Sequence, residues 1–105
     1  MQVPYGCVIN GLAMTTLLVL CHPHNVAVFL GAIMLLATLP SERRLFHCLC
    51  AVMFPLMEVV IIHLSGGQTW TYTHPDFFNV PLYIFPLWAV VGDCVAELAK
   101  FTART

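Results

Sequence analysis

Charged side chains are scarce in this sequence. They make up 9% of the 105 residues, whereas hydrophobic side chains make up 60%. A soluble domain usually carries about 25% charged residues, so this composition is poorly suited to a surface in water. Lysine and arginine total four, too few for a phosphate-binding stripe, and we expect no nucleic-acid partner. The composition predicts a single small domain, residues 1–105, surrounded by lipid.

Familiar catalytic motifs are also missing. The sequence has no G-x-S-x-G, no phosphate-cradling glycine loop and no histidine boxes of the di-iron desaturase type. Five cysteines are present, an odd number, without any C-x-x-C pair. Composition and motifs together therefore indicate a membrane protein more clearly than they indicate any enzymatic activity.

Four apolar stretches occupy most of the chain, at residues 3–21, 25–39, 45–64 and 80–99. The second would reach roughly 22 Å as a helix, short of the ~30 Å hydrocarbon core of a bilayer. We therefore predict an all-α, membrane-embedded four-helix bundle with three full spans and one short span.

Polar residues and prolines mark the boundaries of these stretches. Asn25 and Ser41 are placed to cap the helices that follow them. Pro81 is expected in the first turn of the fourth helix, where proline is tolerated. Pro55 falls inside the third helix, where it should cause a kink and free the Ala51 carbonyl.

The basic residues predict an orientation. Arg43 and Arg44 precede the third stretch, while Lys100 and Arg104 follow the fourth. With four spans both groups fall on one side, which the positive-inside rule assigns to the cytoplasmic-type face. Both termini are then internal. Aromatic residues of the 65–79 loop and Tyr83 would form an external belt.

Glu58 is the most unusual residue, since it lies inside the third apolar stretch. An ionised carboxylate in hydrocarbon is costly, so it should be protonated, paired or facing a wet cavity. One interpretation is a catalytic or ligand-holding acid. The other is a structural hydrogen bond to Asn10, Thr15 or the Ala51 carbonyl.

Histidines gather toward the external side under this topology, namely His22, His24, His63 and His74. They are candidate metal ligands or axial ligands to a tetrapyrrole. No pair among them has the i, i+4 spacing that prebuilds a site on one helix.

Three charged residues share one face near the end of the fourth stretch: Asp93, Glu97 and Lys100. Together with Arg43 or Arg44 they predict a structural ion cluster that pins helix ends together.

The segment after Glu58 carries a resemblance. Gly67, Trp70, Tyr72, His74–Pro75, Val80–Pro81 and Pro86–Leu87–Trp88 resemble features of small uncharacterised polytopic membrane proteins found mostly in bacteria. More distantly, the segment is similar to carotenoid hydratase and lycopene-cyclase-like membrane proteins. The resemblance implies an intramembrane acid at Glu58. It also implies that Trp70 and Tyr72 line a long apolar ligand. We take Trp70, Tyr72, His74 and Trp88 as candidate ligand-binding residues, and a carotenoid or a tetrapyrrole as the candidate cofactor.

Three functions are consistent with these features. The first is a non-catalytic membrane subunit, or an oligomer-forming scaffold, that packs against partner helices or an apolar cofactor. The second is a membrane enzyme or binder of an isoprenoid-like lipid that uses Glu58 as its acid. The third, a small transporter, is disfavoured because the helices offer few polar faces.

Overall fold

The computed structural model describes residues 5–21 and 24–103, and this part of the chain forms four α-helices and no β-strand. These helices are α1 (Tyr5–Cys21), α2 (Asn25–Ala37), α3 (Arg44–Ser65) and α4 (Ile84–Ala103), with a 3₁₀ turn at Ser41–Arg43. The all-α architecture with four helices is confirmed. Three features of the predictions lie outside the described residues: the start of the first apolar stretch at residue 3, His22 and Arg104.

The fourth helix begins later than predicted, at Ile84 rather than at residue 80. Phe78 and Asn79 adopt left-handed backbone angles, with φ of 43° and 70°. This turn lets the Val80 amide donate to the Phe77 carbonyl at 2.9 Å. Residues 80–83 belong to this loop and to the turn that follows it, and α4 begins at Ile84. The expectation of Pro81 in the first helical turn is therefore wrong.

Both predicted side-chain caps are also wrong. His24 occupies the N-cap of α2 and Arg43 that of α3, and neither helix has a side-chain capping bond. The side-chain nitrogen of Asn25, Nδ2, donates instead to the His74 carbonyl and to the Asp76 carboxylate, 49 and 51 residues away. A tertiary contact has replaced the local one.

Helix α4 is the centre of the bundle, because α1, α2 and α3 each pack against it. The backbones of α2 and α3 do not come into contact, and the Arg44 side chain at the start of α3 is what reaches the end of α2. One core cluster joins Met14, Val28 and Ala32, and a second joins Ile62, Val80 and Ile84. We call the end of the bundle that carries residues 66–83 the loop end, and the end that carries residues 38–43 the turn end.

Close packing of α3 on α4 depends on Gly92. A Cβ atom at this position would lie 2.6 Å from the Cys50 sulfur, well inside contact distance. The glycine therefore sets how closely the two longest helices approach, and it fixes the positions of the side chains described next.

One helix in the described part of the chain is long and apolar enough to cross a membrane by length and composition, the 25-residue run Ser41–Ser65. Helices α1 and α2 are apolar but shorter, and α4 carries Asp93, Glu97 and Lys100. A membrane location is permitted on this criterion, and the multi-pass arrangement stays a prediction.

Candidate functional site

Glu58 is held by two side-chain donors at the loop end. The Tyr72 hydroxyl donates to Glu58 Oε1 at 2.7 Å, and the Trp88 indole Nε1 donates to Oε2 at 2.9 Å. Neither donor lies on α3, since Tyr72 comes from the loop and Trp88 from α4. Each carboxylate oxygen therefore has its own partner, and the three residues join α3, the loop and α4 in one contact.

Trp88 is itself fixed by Phe54, which lies one turn before Glu58 on α3. The two rings stack with centroids 4.8 Å apart and planes 27° apart. This geometry is the offset stacking that aromatic pairs favour. The stack, together with packing of Trp88 on the cluster of Ile62, Val80 and Ile84, holds the indole so that its N–H points at the carboxylate.

The chemistry of the two donors limits what Glu58 can do. An indole nitrogen donates only, so Oε2 must act as an acceptor. A phenol both donates and accepts, so a proton on Oε1 could be shared with Tyr72. Burial raises the pKa of Tyr72 above its usual range, and the hydrogen bond to Glu58 and the charge of Glu58 add to this shift. Tyr72 therefore remains a neutral donor at physiological pH.

A pair of glycines brings Tyr72 back onto α3. Gly66 and Gly67 have φ of 63° and 81°, and their amides donate to the His63 and Ile62 carbonyls. This arrangement is a glycine C-cap that ends the helix and reverses the chain. The loop then folds over the end of α3, which places the Tyr72 hydroxyl at Glu58.

A cavity of about 380 Å³ lies beside this contact. Tyr72 forms one part of its wall, and the other lining residues are Ile62, His63, Gly66, Gly67, Thr71, Pro75 and Asn79. Its volume is within the range of small-molecule pockets. The cavity lies between the end of α3 and the loop, so a molecule in it would contact Tyr72.

The loop is also tied to α2. Asp76 Oδ2 accepts hydrogen bonds from the side-chain Nδ2 of Asn25 at 2.8 Å and from the backbone N–H of Leu82 at 3.0 Å. One carboxylate oxygen of the loop thus connects Asn25 at the start of α2 with Leu82, two residues before α4. No sequence spacing relates Asn25 to Asp76, so sequence reasoning missed this contact.

The predicted ligand-lining set is only partly brought together. Tyr72 and Trp88 both contact Glu58, whereas Trp70 and His74 make no hydrogen bond to it. His74 contributes its backbone carbonyl to Asn25, and its side chain is exposed. The structural partners proposed for Glu58 are also different from those observed: Thr15 bonds to the Gly11 carbonyl within its own helix.

No metal centre is found in the described part of the chain, where no three His, Cys, Asp or Glu side chains are close enough to hold an ion. His24, His63 and His74 do not form a ligand group, and His22 lies outside the described residues. The structure therefore offers no support for the metal hypothesis.

A second polar cluster lies at the turn end, between α3 and α4. Arg43 Nε lies 3.0 Å from Asp93 Oδ1, the Arg43 guanidinium also pairs with Glu97, and Lys100 lies 3.7 Å from Glu97. These are the residues that the sequence grouped as an ion cluster. They connect the start of α3 to the last turns of α4.

Arg44 does not join the acidic residues of this cluster. Its guanidinium donates to the Leu36 and Leu39 carbonyls at 2.8 and 3.2 Å, and so satisfies the end of α2. Unpaired carbonyls at a helix C-terminus carry partial negative charge. Of the two arginines that the sequence left open as partners, Arg43 pairs with Asp93 and Glu97, whereas Arg44 binds the end of α2.

His47 is the member of the cluster that sequence reasoning missed. Its Nε2 lies 2.8 Å from Asp93 Oδ1, and both residues are buried. Arg44 Nη1 lies 3.3 Å from the other ring nitrogen, Nδ1. Because an arginine can only donate, Nδ1 accepts and Nε2 carries the proton toward Asp93. The network thus fixes the orientation of the His47 ring, with Nε2 facing Asp93.

Comparison of the chain with protein-family models, with curated proteins and with solved structures finds no match. The class is therefore defined by the fold alone, an all-helical bundle with a polar contact at each end. The resemblance to small polytopic and carotenoid-modifying membrane proteins stays a prediction.

Proposed function

We propose that the protein is a multi-pass membrane subunit, or an oligomer-forming scaffold, that packs its exposed apolar helix faces against partner helices or an apolar cofactor. The observation that carries this proposal is the distribution of apolar side chains. Among the described residues 27 large hydrophobic side chains are exposed, against ten hydrophobic residues in the core. Large contiguous apolar patches on soluble monomers mark interaction or membrane surfaces.

Helix α3 supports this proposal most strongly. Only 28% of its most apolar window is buried, whereas the core helix of a soluble protein would be mostly buried. Its outward face carries Leu45, Leu49, Val52, Leu56 and Val60, all exposed. The bundle is 45 Å long, similar to the ~40–45 Å thickness of a bilayer with its headgroups.

Charge placement supports the proposed orientation. Arg43, Arg44 and Lys100 lie at the turn end, which the positive-inside rule places on the cytoplasmic-type face. At the opposite, loop end lie the aromatic residues expected at a membrane interface: Trp70, Tyr72, Phe77, Phe78 and Tyr83. In this orientation both chain termini face the cytoplasmic side.

The arrangement at Glu58 favours a structural role over catalysis. Both of its oxygens already accept hydrogen bonds, and a general acid must have a proton in reach of a substrate. The contact joins three parts of the chain, as a structural hydrogen bond between helices would.

Hydrogen exchange tests the subunit proposal. In the native assembly we expect α2, the shortest helix, to be protected, and in the purified chain in detergent we expect it to exchange rapidly. Helix α3 in the same sample is the internal control, because α4 packs along it in either state. A stable monomer with every helix protected would contradict the proposal.

A second candidate function is binding or conversion of an isoprenoid-like lipid at Glu58. It is favoured by one observation, the cavity that shares Tyr72 with the Glu58 contact. Glu58→Gln is the clean test, because a glutamine can accept from Trp88 and donate to Tyr72 and so preserve the contacts. We expect this variant to fold and to lose binding or turnover if Glu58 is the acid.

Glu58→Leu is the contrasting variant. It leaves the Tyr72 hydroxyl and the Trp88 N–H without a partner, each at a cost of about 1–3 kcal/mol. If Glu58→Gln keeps both the fold and all measured binding, Glu58 is structural and the second function is excluded. A visible absorption spectrum of protein extracted gently from its membrane reports a bound carotenoid or tetrapyrrole directly.

A further inference from the structure

We propose that the groove between α2 and α3 binds a membrane lipid whose headgroup ends in a primary ammonium, as in an ethanolamine phospholipid, with Asp76 as the headgroup acceptor. This site is separate from Glu58, and it shares Leu56 with the outward face of α3. It rests on the proposed membrane location but requires no partner subunit.

The groove exists because α2 and α3 both pack on α4 but, apart from the Arg44 side chain at the turn end, not against each other. It has a volume of about 430 Å³ and an entirely apolar wall. The lining residues come from both helices, the loop and α4: Phe29, Leu56, Phe77, Leu82 and Phe85. Three aromatic rings and two leucines suit a hydrocarbon chain and offer nothing to a polar ligand.

A second hollow of about 170 Å³ continues the groove toward the loop end. It shares Phe29 and Leu82 with the groove, and it adds Val26, Asn25 and Asp76. The composite site is therefore apolar along its length, and the exposed residue Asp76 marks one end of it. A ligand that fits lays one acyl chain in the groove and places a compact headgroup beside Asp76.

The charge at the polar end selects the headgroup. Asp76 forms no ion pair with any described lysine, arginine or histidine, although its Oδ2 accepts two N–H groups. The negative charge of Asp76 favours a cation with several N–H donors. A primary ammonium has three, whereas a trimethylammonium has none.

The test is native mass spectrometry of the purified full chain in detergent with three lipids of identical acyl chains. We expect phosphatidylethanolamine to bind at least about tenfold more tightly than phosphatidylcholine, the difference of one charge-assisted hydrogen bond. Phosphatidylglycerol, which lacks the cation, should bind as weakly as phosphatidylcholine. Equal binding of the three lipids to the wild-type chain would overturn the proposal.

Two variants separate the headgroup from the tail. Asp76→Asn retains an oxygen for the Leu82 N–H but removes the charge, and it should abolish the preference for ethanolamine. Leu56→Trp fills the groove and should weaken the binding of all three lipids. Leu12→Trp places the same bulk on exposed α1, outside the groove lining, and should change nothing. Lipid binding that survives Leu56→Trp would locate the lipid elsewhere and contradict the assignment.

Failure of this proposal is distinguishable from failure of the proposed function. Lipid selectivity is measured on the chain alone, whereas the subunit proposal depends on exchange in the native assembly. A chain that forms dimers and retains no lipid would support the scaffold function and overturn the lipid site.

Discussion

At the scale of single residues, the polar groups of this chain are used to join elements that lie far apart in sequence. Glu58 connects α3 to Tyr72 and Trp88, and Asp93 connects α4 to His47 and Arg43. In a chain with so few charges, each buried one needs a partner, because an unpaired buried charge is costly. The two contacts lie at opposite ends of the same helix pair.

Asp93 is the residue whose charge we expect to matter most for stability. Asp93→Asn retains an acceptor for His47 but removes the charge opposite Arg43, and we expect it to lower the free energy of unfolding by about 3 kcal/mol. Denaturant titration in detergent measures this change. Glu97→Gln is the matched control, because the Glu97 side chain is 25% exposed and Arg43 retains its ion pair with Asp93 in this variant. A loss below about 1 kcal/mol is expected there, and equal losses would contradict the special role of Asp93.

At the scale of elements, the ends of α3 were partly predictable and those of α4 were not. Ser65–Gly66–Gly67 marks the end of α3 by sequence alone, because glycine accepts positive φ without a steric cost. The start of α4 depends on the Phe77–Val80 turn, in which two non-glycine residues adopt positive φ. Asparagine tolerates this conformation and Asn79 is a local signal for it, but phenylalanine does not favour it, so local propensity does not predict the turn at Phe78.

Gly67 allows a direct test of how α3 ends. With φ at +81° and a Cβ position 3.0 Å from the Thr71 methyl, Gly67→Ala is strained. We expect a loss of about 1–2 kcal/mol in the free energy of unfolding, together with weaker protection of the loop from exchange. Gly6→Ala adds the same methyl where nothing lies within 4 Å, and it should be neutral or slightly stabilising. Equal effects of both substitutions would contradict a conformational requirement at Gly67.

At the scale of the whole molecule, the bundle is apolar on the outside and polar at its two ends. Exposed leucine, valine and methionine side chains cover the long sides, while the ion cluster and the aromatic loop lie at the turn end and the loop end. This arrangement is the reverse of a soluble domain. It is the basis of the proposed membrane topology.

Thiol labelling tests that topology. Thr73→Cys places a thiol at the loop end and Ser41→Cys at the turn end, both at exposed positions. In intact cells a membrane-impermeant maleimide should label Thr73→Cys, and it should reach Ser41→Cys only after permeabilisation. The wild-type chain, with its five native cysteines, gives the background. Labelling of both sites from the same side would contradict the four-span arrangement.

The amino-acid sequence by itself determined that the chain is helical, roughly where three of its four helices begin, and that its few charges cluster in two places. Periodic apolar runs and glycine or proline breaks are local signals, which explains why these features could be predicted. The tertiary structure alone decided the partners of Glu58, the burial of His47 against Asp93, and the tie between Asn25 and Asp76. Those contacts depend on how α4 is surrounded by the other three helices, and that packing has no signature in any short stretch of sequence.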